Sequence, residues 1–216
     1  MAKRLYSLML NDEVVRAVDA EAHRLATNRS ALIDSVLADY FGVSTAQKRM
    51  TDIFAEMDAL LASSEHLIPF FAPHSGTFYM KSALSYKYRP TLKYELVLDQ
   101  TPARKLGDLS VNFRTQSASL VRELEQFFKL WAHIEQQVLG EQKGAHIEYA
   151  LYPNRFIRSM ALPEGADYSA HEIAAAVSAY VNLFDTSLKA YLNGTADAED
   201  ITRDYESFIE NAAVVL

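Results

Sequence analysis

The spacing of apolar and polar positions changes twice within the first forty residues. Tyr6, Leu8 and Leu10 recur at every second position, which predicts a half-buried strand over residues 4–10. Asn11, Asp12 and Glu13 then offer a cap oxygen and negative charge for the start of a helix. Its apolar stripe is Val14, Val18, Ala22 and Leu25, with Arg16, Asp19 and His23 on the other side. Asn28 is placed to cap a second helix, whose Leu32, Ile33, Val36, Leu37 and Tyr40 predict a wide buried face. Gly42 ends it, as a glycine just past a helix terminus commonly does.

Ser44-Thr45-Ala46-Gln47 reads as a capping box opening a helix to about residue 63, with Met50, Ile53, Phe54, Met57, Leu60 and Leu61 at three-and-four spacing. Pro69, Pro73 and Gly76 mark a turn region. Strand patterns follow over 77–86, 92–98 and 106–113, joined by short links that suggest an antiparallel meander. A long helix over 119–139 carries Leu120, Leu124, Phe127, Trp131, Ile134 and Val138 on one stripe. A hairpin over 145–151 and 155–162 turns at Pro153-Asn154, and helices near 168–192 and 197–213 close the pattern. The fold class expected is therefore α+β, with a helix-rich domain built on an antiparallel sheet behind the N-terminal unit.

Composition narrows the field. Half of the 216 residues are hydrophobic, enough for a substantial core. The absence of cysteine excludes disulfides, thiol nucleophiles and cysteine-based zinc sites, as fits a reducing cytoplasm. No apolar run approaches the ~20 residues of a membrane span, so a soluble cytoplasmic protein with no membrane partner is expected. The net charge of −7 argues against indiscriminate coating of nucleic acid.

One strand and two helices in about 42 residues cannot bury enough surface to stand alone. A lone strand also leaves its backbone donors and acceptors without partners. Pairing with the same strand of a second chain answers both needs, which predicts a homodimer joined through the N-terminal strand and helices.

The run Leu10-Asn11-Asp12-Glu13-Val14-Val15, then Val18, Ala22 and Leu25, then Asn28-Arg29-Ser30-Ala31-Leu32-Ile33 resembles the ribbon-helix-helix pattern of CopG, Arc and MetJ type repressors and of many antitoxins. The resemblance covers residues 3–42. It implies a two-stranded ribbon, one strand from each copy, inserted in the major groove of double-stranded DNA. Leu5, Ser7 and Met9 would then face outward, with Lys3 at the start. Asn28, Arg29 and Ser30 would hold a phosphate at the opening of the second helix. Ser7 is the one polar reader among those outward positions; Leu5 and Met9 reach thymine methyls but cannot read a guanine.

The expected organisation is a dimerisation and DNA-binding unit at 1–43, a connecting helix at 44–64 and an α+β domain at 65–216 that senses a small-molecule or protein effector. The function expected is a transcriptional regulator. Alternatives are an accessory protein of plasmid partition or conjugation, an antitoxin, or a non-DNA protein that uses the unit only to dimerise.

Residues 76–115 concentrate Lys81, Lys87, Arg89, Lys93, Arg104, Lys105 and Arg114 against Glu95, Asp99 and Asp108. Within this stretch Lys81, Lys87, Arg89 and Lys93 interleave with Tyr79, Tyr86, Tyr88 and Tyr94, a pattern that suits an anionic ligand or nucleic acid. No catalytic set emerges: there is no phosphate-binding glycine loop, no nucleophile elbow and no zinc-protease motif. His146 and Glu148 share one strand face without a third ligand. No enzyme activity, cofactor or metal is expected.

Overall fold

A computed structural model describes residues 5–25, 27–43, 45–62, 64, 66–71, 76–86, 89–99, 105–140, 147–163, 165 and 167–216. Among them the chain forms six helices and a six-stranded antiparallel sheet. The helices are α1 (Asp12–Arg24), α2 (Arg29–Tyr40), α3 (Ala46–Leu61), α4 (Ala118–Gly140), α5 (Ala170–Leu192) and α6 (Ala198–Asn211). The strands are β1 (Leu67–Phe71), β2 (Thr77–Ala83), β3 (Thr91–Leu98), β4 (Lys105–Phe113), β5 (Tyr149–Tyr152) and β6 (Arg155–Ala161). Strands β1 to β4 meander, β6 pairs with β4, and β5 lies at the far edge, giving the order β1-β2-β3-β4-β6-β5. No helix among the described residues is long and apolar enough to cross a membrane.

Strand alternation sorts the sheet into two faces. The register aligns Phe78, Leu96, Leu109, Arg158 and Tyr149 in one inward row, and Met80, Tyr94, Val111 and Phe156 in the next. Helices α3, α4 and α5 cover these rows. Phe54 meets Phe78, Phe128 stacks on Phe156 with ring centroids 4.9 Å apart, and Phe184 meets Tyr94 edge-on. The buried stripe of α4 predicted from spacing is present, with Leu120, Leu124, Phe127, Trp131 and Ile134 all inaccessible to solvent. Helix α3 packs on α5 and β1, so its apolar residues join this same core.

One inward position carries a charge. Arg158 of β6 is 1 % exposed and meets Glu135 of α4, which is fully buried, at 3.1 Å. Tyr205 of α6 donates to the same carboxylate at 3.0 Å, and the Arg158 guanidinium lies 4.4 Å above the Tyr180 ring. Burial alone would lower the Arg158 pKa, but the Glu135 charge raises it above the ordinary arginine value.

The N-terminus departs from expectation. Residues 5–11 form no strand, and the described chain is helical, with short breaks, from Asp12 to Leu61 before the sheet begins at β1. Tyr6, Leu8 and Leu10, expected to be half-buried, are 82, 52 and 42 % exposed. A strand needs a ladder partner, and none of the described residues pairs with this segment. The N-terminal unit is a helical pair without the opening strand that the ribbon-helix-helix resemblance implies.

The wide buried face expected of α2 is also absent, since only Ala38 is buried there while Val36, Leu37 and Tyr40 stand exposed. Conversely, the turn region read from Pro69 contains β1. A proline cannot donate to a ladder, but β1 is an edge strand, where that donor is dispensable.

Candidate nucleic-acid interface

Local signals explain the shape of residues 5–43. Asn11 precedes α1, and Asp12 and Glu13 place negative charge in its first turn. The Asn28 side chain accepts from the Ala31 N–H at 2.9 Å and starts α2. At its other end Gly42 takes φ +65°, and the Gly42 and Val43 N–H groups close back on Asp39 and Ala38. Lys48 of α3 reaches Asp39 at 2.8 Å, a hydrogen bond that raises the lysine pKa.

Helices α1 and α2 pack on each other and make no extensive contact with any other element. Among the described residues of this unit, Ala22 and Ala38 are the buried hydrophobic ones. Among the described residues there, eleven large apolar side chains are exposed: Leu5, Tyr6, Leu8, Met9, Leu10, Val14, Val36, Leu37, Tyr40, Phe41 and Val43. Leu5 and Met9 are accessible over essentially their whole surface, at 99 and 102 %. Large exposed apolar patches are a common feature of interaction surfaces.

Of the residues expected to touch DNA, Lys3 lies outside the described residues. Leu5, Ser7 and Met9 are exposed but stand on no strand, so they form no outward strand face. Asn28 is occupied as a cap, and the first-turn N–H groups of Arg29 and Ser30 point out of the helix end. Arg29 turns back toward α1, where its guanidinium pairs through two nitrogens with Asp19. Both partners are solvent-exposed, so this pair is worth at most about 1 kcal/mol and is open to exchange.

A second basic surface lies on the sheet face opposite the helices. The register sets Lys81 of β2 directly opposite Lys93 of β3, and continues the row through Asn112 of β4 and Arg155 of β6 to Tyr152 of β5. Lys81, Arg155 and Tyr152 are exposed, and Lys93 is half-buried with its ammonium 4.0 Å from the centre of the Tyr79 ring. Arg155 donates to Ser110 at 2.9 Å, and Tyr79 donates to Glu95 at 3.5 Å. Asp108, on the same face, is held by Lys105 at 2.7 Å.

Only part of the predicted anionic-ligand patch converges here. Lys87 and Tyr88 lie outside the described residues, and Arg89 sits at the β2–β3 turn with φ +42°, off the row. Tyr94 faces the core instead, donating to Asp185 at 2.8 Å, because strand alternation places it one residue from Lys93. Sequence reasoning missed Asn112, Arg155 and Tyr152. Finding them requires the pairing of β4 with β6, which spans α4 and β5.

No group of three or more histidines and carboxylates that could hold a metal occurs among the described residues. His146 lies outside them, and Glu148 immediately precedes β5, where its carbonyl accepts from the Ser159 N–H. No protein-family model, curated protein or solved structure matches this chain.

Proposed function

We propose that the protein is a cytoplasmic homodimeric DNA-binding regulator in which residues up to 43 hold both the second copy and the duplex. The observation that carries this reading is the apolar surface of α1, α2 and the segment before them, exposed among the described residues. A second copy of the same surface covers it, since two-fold assembly is the commonest way for a patch of this kind to be buried. The ordered sequence pattern from Leu10 to Ile33 supports DNA as the ligand. In this reading the opening of α2 meets a phosphate with the Arg29 and Ser30 N–H groups, and Arg29 exchanges Asp19 for that phosphate. The C-terminal α+β portion then serves as the sensing or interaction part.

The test is to sequence the DNA that co-purifies with the intact chain and with Arg29→Ala. Defined sequences enriched with the first and depleted with the second are the expected result. Equal recovery, or no enrichment with either, overturns the reading.

A further inference from the structure

The cationic row on the sheet face away from the helices is separate from the N-terminal unit. Lys81 and Lys93 are directly cross-strand, so two cationic side chains stand next to each other on this face. Arg155 continues the row two strands beyond Lys93. With strands ~4.8 Å apart, the three cations extend over roughly 14 Å and the row reaches Tyr152 after another strand. On the same face Glu95 is an acidic neighbour, engaged by the Tyr79 hydroxyl, while Asp108 is neutralised by Lys105.

We propose that this face binds single-stranded nucleic acid. The donors lie side by side along a line and do not converge on a point, which suits successive phosphates of a flexible strand better than one compact anion. Tyr152, 55 % exposed at the end of the row, offers a ring on which a base stacks. A duplex hides its base faces and gains nothing from that ring. Lys93 and Arg155 contact the phosphates, and Asn112 between them supplies an amide that bonds to sugar or base.

The test uses the full chain and a fluorescein-labelled oligothymidylate of about 12 nucleotides, within the roughly 4–16 nucleotide site sizes of single-strand binding surfaces. Each single-strand phosphate neutralised contributes about 0.7 to the dependence of log affinity on log salt. The Lys93→Gln, Arg155→Gln double variant is therefore expected to lose about 1.4 from that slope and to bind about 25-fold more weakly at ~0.1 M salt. Tyr152→Ala is expected to weaken binding about tenfold. Lys93→Arg, which keeps the charge, retains binding, and Arg29→Ala leaves oligothymidylate affinity unchanged. The last outcome separates this site from the duplex site proposed above.

Failure of the intact chain to bind the oligonucleotide overturns the proposal. So does binding indifferent to the double substitution, equal competition by a duplex of the same length, or equal displacement by polyglutamate, which would mark the face as a generic acceptor of acidic chains.

Discussion

Replacing either member of the Glu135–Arg158 pair removes a partner from a place that water does not reach. The two side chains are 0 and 1 % exposed, so their interaction needs no discount for solvent screening. Arg158→Met strips the Glu135 carboxylate of its cation and leaves Tyr205 as its remaining donor. It also removes the guanidinium contacts to the carbonyls of Ser159 and Leu216. Glu135→Gln preserves shape and an acceptor for Tyr205, but leaves the guanidinium with no buried anion. Removal of one partner from a buried pair costs about 3–5 kcal/mol, a large share of the ~5–15 kcal/mol that holds a domain folded. The double variant buries no unmatched charge. Its loss is expected to fall short of the summed single losses by about 3 kcal/mol. Urea unfolding followed by Trp131 fluorescence reads this cycle directly, because the single tryptophan lies against Tyr205 and donates to Tyr180 at 2.9 Å. Where a single variant is too unstable to fold, the double variant still gives a cooperative transition. Single losses below about 1 kcal/mol, or strict additivity in the double variant, would refute the reasoning.

Gly107→Ala would place a methyl 2.0 Å from the Val97 carbonyl oxygen and 2.9 Å from the Leu98 Cα, so β3 and β4 must separate. A loss of about 3 kcal/mol or more is expected in thermal unfolding, and a neutral effect would contradict the close approach of β3 to β4 at Gly107. Alkaline pH should unfold the protein. Burial raises the hydroxyl pKa of Tyr94, Tyr149, Tyr180 and Tyr205 above the usual 10.0; the Asp185 charge adds to this at Tyr94 and the Glu135 charge at the other three, where Arg158 opposes the rise without cancelling it. The folded state then holds protons that the unfolded state releases, so stability is intact below pH ~10 and falls above it, by about 1.4 kcal/mol per pH unit for each tyrosine. Phenolate absorbance from these four rings should rise only together with loss of tertiary structure; their titration near pH 10 in folded protein would show otherwise. Asp19→Asn frees Arg29 from its carboxylate partner and should tighten duplex binding several-fold in a mobility-shift assay. Unchanged or weaker binding would count against Arg29 as a phosphate contact.

Elements governed by local chemistry were legible from the chain alone. Asn28 announces α2 because its side chain bonds three residues ahead, and the stripe of α4 is legible because one face of a long helix meets the core. Strand β3 reads clearly for the same reason, as alternate residues are buried and exposed. What depends on distant pairing was not legible. Pro69 looks like a breaker until β1 is known to be an edge, and Arg155 joins Lys93 only through the β4–β6 register. Arg158 looks like a surface residue by type, and its burial is tolerable because Glu135, 23 positions away and on another element, supplies the opposite charge beside the Ser159 and Leu216 carbonyls. The N-terminal segment shows the converse limit. Period-two alternation at Tyr6, Leu8 and Leu10 describes a strand that needs a partner, and the described residues of the chain provide none.

The most direct test of the assembly proposed here is the mass of the full chain by sedimentation equilibrium, compared with a Val36→Glu, Tyr40→Glu variant. Both side chains are exposed in the single chain, 56 and 81 %, so charge there leaves the fold intact and acts on a second copy alone. The expected result is twice the mass of one chain for the unaltered protein at micromolar concentration and a single-chain mass for the variant. A single-chain mass for the unaltered protein at every concentration, or a dimer that persists in the variant, contradicts the account.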